Sequence, residues 1–159
     1  MRRALIDGHN AIQILHLHGE DHRDSRRQLL ALARAAGNDP TVFFDARGAP
    51  PHLLDPAHED GVRVVYCRDR EADDGIHSAI LDAVEPRNLI VVTNDRGLGS
   101  RARAQGAVCR SIEKYFERVL ARRDAEPEDV KPTGRDGWRA EDFGLPDQID
   151  LNRPPPDLR

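Results

Sequence analysis

Four short apolar runs in this chain each give way to carboxylates: "ALID" at Asp7, "VFFD" at Asp45, "VRVVYC" leading into "RDREADDG" with Asp73 and Asp74, and "VVTND" at Asp95. A charge where a buried strand stops is costly unless something uses it. If the runs are parallel strands of one sheet, their carboxyl ends share an edge, and residues far apart in sequence meet there. Carboxylates brought together repel, raise one another's pKa and destabilise the fold unless a cation neutralises them. A set of oxygen donors without paired thiols or imidazoles suits Mg²⁺ or Mn²⁺. Each acid alone has an ordinary explanation. Asp7 or Asn10 could cap a helix over "AIQIL", Asn94 or Asp95 one over "RGLGSRARA", and Asp45 could sit in a turn near Gly48. Capping accounts for each residue singly but not for acids at the end of every run.

The elements that must position these acids follow from hydrophobic periodicity. Short apolar runs alternating with helical patterns predict an α/β fold with parallel strands joined by crossover helices. Strands are expected at 4–6, 41–44, 62–66, 89–92 and 107–109, about five in all. In "SRRQLLALARAAG", Leu29, Leu32, Ala33 and Ala36 form one stripe, Ser25 and Gln28 make a capping-box pattern, and Gly37 is the stop. "ADDGIHSAILDAV" puts Ile76, Ala79, Ile80, Ala83 and Val84 on one face before Pro86. At 3.6 residues per turn, Asp73 lies roughly 45° from the centre of that stripe and Asp74 about 150° away. Asp73 is therefore the member of the pair expected at the sheet edge, with Asp74 and Glu71 supporting the helix N-terminus or binding through water. A last helix is expected from Ser111 to about Arg123.

Two segments depart from this pattern. "ARGAPPHLLDPAHEDG" is long and proline-rich, expected as a substrate-facing loop or a loop with a short helix. Residues 124–159 hold six of the eleven prolines and 10 acids against 5 basic residues, whereas residues 1–123 hold 18 acids against 19. The net charge of −4 thus resides in an expected extended tail, and the body, 1–123, is a single domain without the acidity that would disfavour nucleic acid. All but Lys114 and Lys131 of the 24 basic residues are arginines. Composition of the genome explains that as readily as phosphate binding does. No run approaches the roughly 18 apolar residues of a membrane span, and the N-terminus enters a strand directly, so a cytoplasmic protein is expected. Cys67 and Cys109 read as free thiols.

"LIDGHN", "VFFDA", "EADDGI" and "VVTNDRGL", in this order and at these separations, resemble the NYN domain, most closely its YacP-like branch within the PIN-like nuclease superfamily. The likeness covers about residues 3–120. It implies a Rossmann-like α/β/α sandwich with a mainly parallel sheet and a Mg²⁺- or Mn²⁺-dependent ribonuclease; an endonuclease with a single-stranded RNA substrate is expected. By position, the implied metal-binding catalytic carboxylates are Asp7, Asp45, Asp73 and Asp95, with Asn10 holding the first of them and Asp74, Thr93 and Asn94 in support. His9 stands where the branch often has an aromatic residue, and Asp74 where glutamate is common. Metal-assisted hydrolysis needs no side-chain nucleophile. Arg47, Arg68, Arg70, Arg96 and Arg101 follow strand ends, where they could meet the phosphate backbone. With few aromatics, base stacking would have to use Tyr66, Phe44, His9 or arginine planes.

Rival readings fit less well. His16, His18 and His22, at i, i+2 and i+6, do not bring three imidazoles to one side of a helix for a zinc ion. A phosphoacceptor receiver wants an acid pair after the first strand and a lysine after the fifth. A haloacid-dehalogenase-type phosphatase wants a second acid where His9 stands. A non-catalytic RNA- or protein-binding module on the same fold is the alternative function. Whether the chain forms a homodimer is left open by the sequence.

Overall fold

The computed structural model describes residues 1–19, 21–46, 57–59 and 61–125. Its strands are β1 (Arg3–Asp7), β2 (Thr41–Asp45), β3 (Ala57–Glu59), β4 (Val62–Cys67), β5 (Leu89–Val92) and β6 (Val108–Arg110). The helices are α1 (Gly8–Ile14), α2 (His22–Ala36), α3 (Ala72–Leu81), α4 (Arg96–Ala104) and α5 (Ile112–Ala125). Residues 1–123 form one compact unit. Beyond the end of α5, the tail expected at 124–159 lies outside the described residues, as does most of the 46–61 loop.

The sheet order is β3-β4-β2-β1-β5-β6, parallel except for β3, which runs antiparallel to β4. Because side chains alternate along a strand, the sheet needs cover on both faces. Ala4 and Ile6 of β1, Val42 and Phe44 of β2, and Val64 of β4 pack beneath Leu29, Leu30 and Ala33 of α2 and Ile112 and Phe116 of α5. Leu5, Phe43 and Val91 face the other way, onto Ile76 and Ile80 of α3 and Leu98 and Ala102 of α4. The result is the expected α/β/α sandwich, with the parallel crossovers supplied by helices.

Three details differ from the sequence reading. The sheet has a sixth strand, β3, inside the proline-rich segment. It has no apolar run of its own. Its ladder comes from β4, with Glu59 opposite Val62, and Gly61 lies in the left-handed region at φ +79°. Helix α2 begins three residues before Ser25. Asp21 caps it, accepting from the Arg23 and Asp24 N–H groups at 2.7 and 3.0 Å, while Gln28 donates to the His18 carbonyl at 2.9 Å. Gly37 does end it, at φ +74°. Helix α3 stops at Leu81, where the chain must turn through a 3₁₀ segment, Pro86–Asn88, to enter β5. Val84 therefore projects into solvent instead of continuing the apolar stripe.

Candidate active site

Strand β1 lies between β2 and β5, so the chain order reverses across β1. At such a reversal the crossover helices leave on opposite faces, and a crevice opens at the carboxyl ends of the strands. Asp7 ends β1 at that point. It caps α1, accepting from the Asn10 N–H at 3.3 Å, and takes the Thr93 hydroxyl at 3.4 Å on its other oxygen. Only 7% of its surface is exposed. Helix α1 can begin immediately after β1 because residue 8 is glycine: a Cβ there would collide with the Phe44 ring and lie 2.8 Å from the Phe43 carbonyl oxygen. The Asp-Gly pair thus packs the first turn of α1 directly against β2.

The other acids arrive by the same parity that builds the core. Asp45 follows Phe43 on the α3 face of β2, and its Oδ1 accepts the Ala72 N–H at the start of α3 at 2.6 Å. Asp73 sits one residue into α3, half-buried, with Arg101 of α4 at 3.7 Å. Asp95 caps α4 through the Leu98 N–H at 2.7 Å. Asp7, Asp45 and Asp95 therefore each accept a backbone N–H, two as N-caps and Asp45 at the start of a helix. Capping does not exclude a site here, because the N–H takes one carboxylate oxygen and the other, which at Asp7 also accepts the Thr93 hydroxyl, keeps a further lone pair.

These carboxylates repel one another electrostatically. Burial pushes the Asp7 pKa up from 3.8 to about 6. The Asn10 hydrogen bond opposes this, and the charges on Asp73 and Asp45 add to it. Asp73 is raised as well, first by burial and then by Asp95, against the pull of Arg101. Each of the four acids thus enters at least one repulsive pairing with another of the set. As placed, no group of three His, Cys, Asp or Glu side chains among the described residues could hold a metal ion. Charge and donor type nevertheless fit a hard divalent cation: the donors are all oxygen, and they carry negative charge that a single ion-paired arginine only partly offsets.

A polar chain holds this edge together. The Asn10 side-chain oxygen accepts the Asn94 N–H at 2.8 Å and the Thr93 hydroxyl at 3.4 Å, tying α1 to the end of β5. The Asn94 side-chain oxygen accepts the Ile112 N–H at 2.8 Å, and its amide nitrogen reaches both Glu113 oxygens at 3.0 Å. Glu113 was not apparent from the sequence, since only the adjacency of β5 and β6 brings α5 to Asn94. His9 lies at the rim. Its Nδ1 accepts the Asp45 N–H at 3.4 Å. Asp74 is exposed on the far side of α3's first turn, as the helix phase predicts.

The arginines divide. Arg101 faces the acids, and Arg68 and Arg96 are exposed after β4 and at the start of α4. Arg70 instead donates to the Ser78 hydroxyl at 2.7 Å and lines a hollow with Arg3, Thr41 and Arg63, which belong to the opposite ends of the strands. Arg47 lies outside the described residues.

Fold and edge together define an α/β sandwich whose mostly parallel sheet gathers acids at the carboxyl ends of its strands. A sequence profile described as the YacP-like NYN domain matches residues 4–142, and the chain belongs to that family. Crystal structures of Rae1 (YacP) from Bacillus subtilis are similar to it at TM-score 0.55 and 24% identity, in the native form and in a tryptophan-to-leucine variant. The variant aligns over 82% of this chain and 87% of its own, and the native form over 84% and 86%. That likeness bears on the fold. No curated protein matches the chain significantly. Among the described residues no helix is long and apolar enough to cross a membrane.

Proposed function

We propose that this protein is a divalent-metal-dependent ribonuclease that hydrolyses RNA phosphodiester bonds, with Asp7, Asp45, Asp73 and Asp95 holding Mg²⁺ or Mn²⁺. The observation that carries the reading is the buried Asp7, its pKa pushed to about 6 while two further carboxylates add their repulsion. A fold retains such an arrangement at a cost in stability, and perturbed, mutually repelling acids in a crevice are what a cation site requires. Membership in the YacP-like NYN family supports the reading. When bound, the metal supplies an acidified water and neutralises charge developing on the phosphoryl oxygens.

This chain's own residues supply position. Asn10 and Thr93 orient the Asp7 carboxylate, and the Ala72 N–H orients that of Asp45. Arg101 would exchange its contact with Asp73 for a substrate phosphate, and the exposed Arg68 and Arg96 would guide the backbone toward the edge.

The test is cleavage of an end-labelled single-stranded RNA in Mn²⁺, in Mg²⁺ and in EDTA, with Asp7→Asn purified in parallel. Cleavage that needs the metal and disappears in the variant is the expected result. RNA binding without turnover in either metal would favour the non-catalytic module instead.

A further inference from the structure

The parity that sends Asp45 to the acid edge sends Phe44 and Tyr66 to the opposite face of the sheet. There they open a cleft of about 570 Å³ between the strand ends and helices α1 and α2. Phe44 and Tyr66 stack with centroids 6.0 Å apart and planes at 23°. The Arg26 guanidinium lies over both rings, 5.5 and 5.1 Å from their centroids. Arg26 also donates to the Tyr66 hydroxyl, and both reach Glu59 Oε1, at 3.5 and 3.1 Å. Its Nε is buried with no hydrogen-bond partner. His9 closes the side toward the acids, meeting the Phe44 ring edge-on at 5.6 Å. Asp45 lines both places, so cleft and acid edge are contiguous.

We infer that this cleft receives one unpaired nucleobase of the RNA strand whose backbone runs along the acid edge. The lining matches that occupant in three respects. It offers flat faces, the Arg26 guanidinium and the His9 ring, on which a base stacks whatever its identity. It places the Glu59 carboxylate where the polar edge of a base can donate. Arg23 and Arg26 offset the Asp45 and Glu59 carboxylates of the lining, so the wall carries no net negative charge against the attached phosphates. A base within a duplex is paired and stacked and cannot enter, so the cleft itself would select single strands at this position. The inference deepens the nuclease reading and rests on it in taking RNA as the ligand.

Binding in the absence of metal separates the two. Full-length Asp7→Asn protein in EDTA at pH 8 is titrated against a short fluorescein-labelled single-stranded RNA and against the same sequence as a duplex, across a salt series. Two further changes are introduced singly: His9→Ala, which removes an exposed stacking ring, and Tyr66→Leu, which removes the half-buried ring that seats the Arg26 guanidinium. Loss of a stacking surface is expected to weaken single-strand binding about 5- to 10-fold with the salt dependence unchanged, because phosphate contacts remain. Duplex binding should not respond. A single abasic nucleotide should reproduce the loss in the parent and add nothing in His9→Ala, which covers the case in which Tyr66→Leu does not fold.

Unchanged affinity in both variants, a loss shared by the duplex, or a reduced salt slope would overturn the inference. The last would mean phosphate contact alone. A parent that binds no RNA would also overturn it, and would leave the nuclease reading to the cleavage assay. Stacking-dependent binding by a wild type that never cleaves would uphold the cleft and overturn the nuclease.

Discussion

Replacing Asp7 by asparagine should stabilise the metal-free protein while abolishing its activity. An upward shift from 3.8 to about 6 means that ionising Asp7 costs the folded state about 3 kcal/mol relative to the unfolded chain. The folded protein holds this proton more tightly than the unfolded one. The cost is therefore absent below about pH 4, grows as pH rises from about 4 to 6, and is fully present above pH 6. Asparagine keeps the shape and the acceptor for the Asn10 N–H but carries no charge at any pH. At pH 8 in EDTA the variant should exceed wild type by up to about 3 kcal/mol, or roughly 10 °C in melting temperature for a domain of this size. The gap should close as the pH is lowered to 4. Mn²⁺ should then raise the wild-type melting temperature and leave that of the variant almost unmoved, since an ion that binds only the folded state stabilises by mass action. Thermal melts at four or five pH values, with and without metal, make the comparison. A variant less stable than wild type at pH 8, or a gap that does not change with pH, would refute the burial and repulsion inferred for Asp7.

Two further changes probe how the acids are held. Gly8→Ala puts a methyl group against the Phe44 ring and the Phe43 carbonyl, so α1 must shift off β2; a loss of about 1–3 kcal/mol in denaturant titration is expected, with activity reduced through displaced Asp7. Asn10→Ala leaves the Asn94 N–H without its acceptor, while the Thr93 hydroxyl keeps Asp7; the loss should cost about 1–3 kcal/mol. If Asn10 positions Asp7 and the end of β5, raising the Mn²⁺ concentration should partly restore the lost rate, a response that a purely structural role would not give.

Much of this protein could be read from local pattern. The apolar runs that became β1, β2, β4, β5 and β6, the stripe of α2 and the Gly37 stop all depend on neighbours within a few residues. So does the helix phase that sends Asp73 rather than Asp74 toward the edge. Strand β3 was missed because Ala57, His58 and Glu59 have no strand pattern, although the Asp60–Gly61 pair before Val62 is a hairpin signal. The cap of α2 was misplaced because Asp21 and Ser25 are both good caps, and only the backbone shows which one receives the N–H groups.

The sequence alone determined that acids end successive strands, because strand length and charge are local properties of the chain. Only the tertiary structure decided which of those ends are neighbours and which face each side chain takes. Placing β1 between β2 and β5 brings Asn10 to Asn94 across 84 residues of sequence, and Asn94 then reaches α5. One step of strand alternation sends Asp45 to the carboxylates and Phe44 beneath Arg26, two surfaces whose members lie scattered along the chain and meet only when the sheet forms.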